Sequence, residues 1–219
     1  RSRRQRQMCI RDSHEIAQTT SLDMQEILCT AQEFAADLTI VGSEDLLVAG
    51  IGDLFSQAGM KLFGPGKAAA RLEGSKAYAK DFMKKYGVKT ARYETFTDPK
   101  DAMAGLADFN LPVVVKASGL AAGKGVIICQ TAEEAKNAIS QIMVDQRFGQ
   151  AGEKVVLEEF LVGKEASILS LANEKGIFPL VSAKDHKKIG EGETGPNTGG
   201  MGTFAPCLLY TSPSPRDAT

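Results

Sequence analysis

Apolar residues recur at helical spacing through 23–36 (DMQEILCTAQEFAA) and then close up into the short run DLTIVG at 37–42, which predicts a buried strand ended by glycine. Helical spacing returns over 45–59 (DLLVAGIGDLFSQAG) and predicts one helix stopped at Gly59. KLFGPG (61–66) predicts a strand and then a turn. Helix–strand–helix–strand over 23–66 is the signature of a parallel α/β layer. It starts mid-pattern, with no opening strand or glycine loop before the first helix. A long helical stretch follows over 67–87, interrupted at Gly74.

The pattern changes near residue 90. A strand over 91–97 leads to a helix over 98–109, with Asp98 as its cap and Pro99 at its first position. A strand over 111–117, a loop of small residues over 118–125 and a second strand over 125–130 come next. The helix over 131–146 opens with Thr131 and Glu134 in capping-box spacing. Strands are expected over 153–161, 165–172 and 176–183. From 184 to 202 the chain is polar and glycine-rich and shows no period. The fold class is therefore α/β followed by α+β, the second part mixed and partly antiparallel, with no internal repeat.

Composition narrows the function classes. Of 219 residues, 43% are hydrophobic and 24% charged, with a net charge of −1. That balance gives no electrostatic reason to expect nucleic acid as a partner. No apolar run approaches a membrane span, and no apolar signal segment follows the basic N-terminus. Four cysteines without C-x-x-C spacing and two histidines form no zinc motif, and a reducing cytoplasm is the simplest setting. The two ends, 1–13 and 207–219, lack any structural period and read as non-native leader and tail.

Four segments carry candidate chemistry. In PVVVKASGLAAGKGVIIC (112–129) a buried strand ends at Lys116, and Lys124 sits between Gly123 and Gly125. Small residues let backbone N–H groups approach phosphate oxygens, and the lysines supply positive charge. It is not a P-loop: Ser118 stands where that motif needs glycine, and Gly125 where it needs Ser or Thr. It is not a dinucleotide fingerprint, because it opens a strand and not a helix. The plainer reading is a tight hairpin with exposed lysines. In VVLEEFLVGKEAS (155–167), Glu158 and Glu159 end one strand and Glu165 begins the next. Alternation prevents Glu158 and Glu159 from facing the same side. In AKDHKKIGEGETGPNTGGMG (183–202), charged residues leave a strand and meet a glycine-rich stretch that suggests backbone shaped around a small polar ligand; a linker is the alternative. In LEGSK (72–76), Gly74 and Ser75 interrupt a helix just before Lys76, aiming a lysine or merely kinking the helix.

Taken together these segments resemble the glycinamide ribonucleotide synthetase family of ATP-grasp enzymes. FGP, LEGSK, VVVKASGLAAGKGV, LEEFLVGKEAS, DHKK and TGPNTGGMG occur in that family's order and spacing, over about 14–206. The resemblance implies an incomplete ATP-grasp fold preceded by the end of a parallel α/β N-terminal domain. It divides the chain into 14–66, the end of that domain; 91–160, the small ATP-grasp subdomain; and 67–90 with 161–206, part of the large one. Lys76 and Lys116 would hold ATP phosphates under a closing loop of Ser118, Gly119, Gly123, Lys124 and Gly125. Glu158, Glu159, Phe160 and Leu161 would form the adenine hinge, Glu165 would bind ribose, and Lys188 and Asn197 would touch nucleotide. Asp185, His186 and Lys187 would be catalytic. Gly195, Pro196, Thr198, Gly199, Gly200 and Met201 would bind substrate. The family commonly has arginine where Lys188 stands; lysine keeps the charge and loses the fork. Ser43 stands where the family has proline, beside a substrate contact expected near Glu44.

The implied reaction joins glycine to 5-phosphoribosylamine at the expense of ATP, through a glycyl phosphate. The implied cofactor is Mg²⁺, held by a Glu and an Asn expected beyond Gly202, so that the chain itself holds no metal and is inactive. The expected partners are ATP, glycine and 5-phosphoribosylamine, without nucleic acid or membrane. Two other readings stay open: another ATP-grasp carboxylate–amine ligase, and an ATP-binding module without catalysis.

Overall fold

The computed structural model describes residues 23–121, 124–163, 165–192 and 194–207. The reading of 1–13 as non-native lies outside the described residues, as does that of 207–219 apart from Cys207, whose N–H donates to the Ser182 carbonyl at 2.7 Å; Gly123 and the side chains of Pro196 and Asn197 lie outside them too. The chain divides into two compact units, Arg1–Phe82 and Met83–Thr219. Among the described residues, no helix is long and apolar enough to cross a membrane.

The first unit begins with α1 (Met24–Glu33), capped by Asp23, whose Oδ1 accepts the Gln25 N–H at 2.8 Å. Strands β1 (Thr39–Ile40) and β2 (Leu62–Phe63) pair in parallel, as the α/β pattern requires. The single helix expected over 45–59 is two helices, α2 (Glu44–Ala49) and α3 (Ile51–Gln57). Gly50 lies between them at φ +109°, a conformation L side chains rarely adopt, and its N–H closes the end of α2 on the Leu46 and Leu47 carbonyls. The break lets Ile51 and Phe55 pack fully buried against Leu28.

The interruption expected at Gly74 is present. Helix α4 (Lys67–Gly74) ends there and α5 (Lys76–Lys85) starts after extended Ser75, whose Oγ accepts the Tyr78 N–H at 3.3 Å. A Cβ on Gly74 would meet both Val48 methyls at 2.9 Å, so glycine here lets α4 approach α2. Asp53 supplies the cap that Gly66 cannot, accepting the Lys67 N–H at 3.2 Å.

In the second unit, β3 (Tyr93–Phe96), α6 (Pro99–Gly105), β4 (Val113–Ala117), β5 (Val126–Cys129), α7 (Ala132–Ile139) and β6 (Val155–Glu159) follow the expected order of elements. The sheet order is β3-β6-β4-β5, and every pair is antiparallel, where a mixed sheet was expected. Helices α6 and α7 cover one face and bury Val113, Val115, Ala117, Val155 and Leu157 among Ala135, Ile139 and Ile142. Each larger apolar side chain so buried contributes roughly 1.5–3 kcal/mol. Both expected caps form. Asp98 accepts the Lys100 and Asp101 N–H groups, and Thr131 accepts from Glu134, whose carboxylate accepts the Gln130 N–H at 2.7 Å. The expected helix end at 146 is replaced by a π-turn over Ser140–Val144.

Beyond β6 come two hairpins. Strands β7 (Ser170–Asn173) and β8 (Gly176–Pro179) pair across a turn in which Asn173 Oδ1 accepts the Lys175 and Gly176 N–H groups. The segment without period, 184–202, is not a loop. It forms β9 (Lys184–Gly190) and most of β10 (Thr194–Phe204), an antiparallel ribbon. Glycine lacks the alternating side chains that would have announced a strand, and the register is interrupted by bulges, so no period of two survives in the sequence.

Two outcomes follow. Thr131→Ala removes the α7 cap and lowers the second unit's stability by about 1 kcal/mol in urea unfolding, with Thr131→Ser close to wild type. Burial, helped by the Glu134 carboxylate, pushes the Cys129 thiol up from 9.0 to about 11. The stability held by that neutral thiol is present below pH 9 and is lost as pH rises toward 11. Iodoacetamide at about pH 8 therefore labels exposed Cys29 and spares buried Cys129 until the chain unfolds; equal labelling in the native state would contradict this core.

Candidate functional site

The register of the four-stranded sheet sets two rows of side chains on the face away from α6 and α7. Tyr93, Glu158, Val114 and Ile128 form one row; Thr95, Val156, Lys116 and Val126 form the next. Across these rows Lys116 Nζ donates to Glu158 Oε2 at 2.7 Å, with Glu158 only 4% exposed. This contact holds the lysine head at the strand end beside the loop. The Thr95 hydroxyl oxygen, also on this face, is buried and has no hydrogen-bond partner among the described residues. As expected, Glu158 and Glu159 face opposite sides: Glu159 is exposed.

The loop after Lys116 is tied down at its base. Ser118 N–H donates to the Lys154 carbonyl and Gly119 N–H to the Ala151 carbonyl, at 2.9 and 3.0 Å. These two amides are thus engaged within the protein. A Cβ on Gly119 would lie 2.6 Å from Ala151 Cα, so the glycine is required by this close approach. Lys124 N–H donates to Ala121 O, and Ala117 N–H to Gly125 O at 2.8 Å, closing the hairpin mouth.

At the other end of β6, the Glu159 N–H donates to the Arg92 carbonyl at 3.0 Å, and Glu159 Oε1 accepts the Arg92 N–H at 2.8 Å. The Arg92 guanidinium lies 5.1 Å from the centroid of the Phe109 ring. A cavity of about 280 Å³ opens between Arg92, Phe109, Pro112, Glu159 and Phe160. Phe160 and Leu161 continue from it with 37% and 64% exposure.

The expected catalytic trio divides between the two faces of β9. Lys187 Nζ contacts Glu165 Oε1 at 2.7 Å and Asp185 Oδ2 at 3.7 Å. The hydrogen bond that Lys187 donates to Glu165 holds its ammonium above its ordinary pKa. His186 and Lys188 point to the other face, where the His186 ring stacks at 5.8 Å on Phe204. The structure thus joins Glu165 to Asp185 and Lys187, residues assigned separately from sequence. Between the pairs Lys188–Asn197 and His186–Gly202, β9 advances two residues while β10 advances five. Thr198, Gly199, Gly200 and Met201 form that bulge. Thr198 Oγ1 donates to the Lys187 carbonyl and accepts the Gly200 N–H, at 2.9 and 3.1 Å, so it staples the bulge to β9. Gly195, at φ +81°, and Pro196 occupy the smaller irregularity before it. Lys76, the first residue of α5, belongs to the first unit.

Sequence reasoning missed Arg92 and Thr95. Neither lies in a motif, and each gains its place only through pairing with β6. For the central pair, Lys116→Met leaves Glu158 buried without its lysine and destabilises the second unit by roughly 1.5–3 kcal/mol in urea unfolding. Lys116→Met with Glu158→Gln recovers part of that loss; strictly additive effects would show that the two groups do not interact.

Residues 5–73 match the family model for the phosphoribosylglycinamide synthetase N domain, and residues 74–218 match that for its ATP-grasp (A) domain. The phosphoribosylamine–glycine ligase of Fusobacterium nucleatum is 56% identical over 186 residues, covering 85% of this chain and 44% of that protein. The Salmonella typhimurium protein of the same name is 47% identical over 189 residues, covering 86% and 44%. The chain thus spans less than half the length of these curated relatives. A crystal structure of phosphoribosylamine–glycine ligase from Thermotoga maritima matches with TM-score 0.65 and 42% identity, over 68% of this chain and 38% of that one. N5-carboxyaminoimidazole ribonucleotide synthetase from Thermus thermophilus matches with TM-score 0.65 at 20% identity, over 93% and 50%, a likeness of fold alone. Both family models and these relatives agree: the chain has an ATP-grasp fold and belongs to the phosphoribosylglycinamide synthetase family.

Proposed function

We propose that this chain supplies the ATP-binding part of an enzyme that ligates glycine to 5-phosphoribosylamine, giving glycinamide ribonucleotide, ADP and phosphate in purine synthesis. The observation that carries this reading is the Lys116–Glu158 pair on the sheet face beside the 118–125 loop, in a chain 56% identical to a protein of that name. The two expected phosphate-holding lysines are Lys76 and Lys116, and the hinge is Glu158 to Leu161. Glu165 serves ribose, and Lys188 and Asn197 touch nucleotide. Asp185, His186, Lys187 and the Gly195–Met201 segment serve the acceptor side.

The chemistry has a simple physical logic. A carboxylate is a poor electrophile, so its oxygen first takes the γ-phosphoryl group of ATP, and ADP leaves. The amine nitrogen then attacks the carbonyl carbon of the acyl phosphate, loses a proton, and expels phosphate. The Lys116 ammonium at the end of β4 neutralises charge on the transferring phosphoryl group. Mg²⁺ is expected to accompany the nucleotide. Among the described residues no cluster of three or more His, Cys, Asp or Glu could hold a metal ion.

Calorimetric titration of the chain with Mg-ATP is expected to show saturable binding, weakened about tenfold or more in Lys116→Ala, as loss of a charge-assisted contact requires. Equal affinities would remove Lys116 from the site. For the ligase reaction, residues 23–207 grafted into the Fusobacterium nucleatum relative should release ADP only with both glycine and 5-phosphoribosylamine present. ADP release with bicarbonate in place of glycine would instead assign a carboxylase-type acceptor.

A further inference from the structure

The Glu159 side chain does something that its place in the hinge does not call for. In an antiparallel ladder, two residues forming a hydrogen-bonded pair exchange both N–H to C=O bonds. Arg92 and Glu159 stand opposite each other just beyond the pair Tyr93–Glu158. The first bond is present: Glu159 N–H donates to the Arg92 carbonyl at 3.0 Å. In place of the second, the Arg92 N–H goes to Glu159 Oε1, at 2.8 Å. A side-chain carboxylate thus substitutes for the main-chain carbonyl of its own residue. The Arg92 N–H is taken by the carboxylate and not by the Glu159 main-chain carbonyl. That carbonyl lies where the strand becomes the Phe160–Leu161 segment, beside the cavity that Arg92, Glu159 and Phe160 help to line.

We propose that the Glu159 carboxylate is a positioning and specificity-determining group. By taking the Arg92 N–H it keeps the Glu159 carbonyl out of the ladder, so that the hinge offers a main-chain acceptor to the 6-amino group of an adenine base. A 6-oxo purine presents an acceptor at that place and gains nothing from it. The inference rests on the reading of Glu158 to Leu161 as a nucleotide hinge. It assigns to Glu159 a role through the backbone, with no contact between its carboxylate and the base or ribose.

The test compares ATP with inosine triphosphate, which carries oxygen in place of the 6-amino group, by calorimetry on the whole chain. Wild type should bind ATP roughly fivefold or more tightly than inosine triphosphate, the order expected for one good hydrogen bond. In Glu159→Ala the Arg92 N–H recaptures the main-chain carbonyl, and the preference should fall to about twofold or less while the thermal midpoint stays close to wild type. Glu159→Gln keeps an acceptor oxygen and should restore most of the preference. Arg92→Ala keeps the backbone groups, loses only the guanidinium, and should retain the preference. A Glu159→Ala chain that still discriminates as wild type does would overturn the proposal, as would a loss of equal size in Arg92→Ala, which would mark the effect as one of charge. A wild-type chain that binds neither nucleotide overturns the ATP reading, and this inference with it.

Discussion

Strands β4 and β6 lie side by side in antiparallel register at the centre of the second unit, and their alternation divides the sheet into two chemically different faces. Val113, Val115, Ala117, Val155 and Leu157 point into the helix-covered core. Lys116 and Glu158 point the other way and meet at 2.7 Å. A slip of one residue would exchange the faces, putting the charged pair in the core and the valines outside. The apolar core therefore fixes where the lysine sits, and the buried glutamate fixes how it is held. The loop beside Lys116 and the hinge after Glu158 both start from strand ends that this register positions.

Around that centre, several polar and glycine residues serve the backbone more directly than a ligand. Gly119 allows the loop to lie against Ala151, and Thr198 binds its bulge to the Lys187 carbonyl. Glu159 closes the end of the β3–β6 ladder with its side chain. A motif rich in glycine, threonine and glutamate can belong to a binding site because it shapes main chain there. The residue types in such a motif do not say which members touch ligand and which hold the others in place.

Much of this was legible beforehand. The helix caps at Asp98 and Thr131, the interruption at Gly74 and the opposed directions of Glu158 and Glu159 follow from local rules and are present. The break at Gly50 was missed because apolar spacing continues across it, and only the left-handed backbone reveals the turn. The β9–β10 hairpin was missed because bulges and glycines erase the period of two. The expected trio of Asp185, His186 and Lys187 is split by the alternation of a strand that had not been recognised as one.

The sequence by itself determined the order of elements as far as β8 apart from the break at Gly50, the helix caps at Asp98 and Thr131, and the family. These depend on spacings of two to four residues, which the chain carries wherever it lies. Tertiary structure decided which strand lies beside which, that Arg92 would meet Glu159 67 residues later and Lys116 would meet Glu158 42 residues later, and that the Ala151 and Lys154 carbonyls would take the loop's amides. Those pairings follow from burying one continuous apolar face, a requirement the chain satisfies only as a whole, so no local spacing announces them.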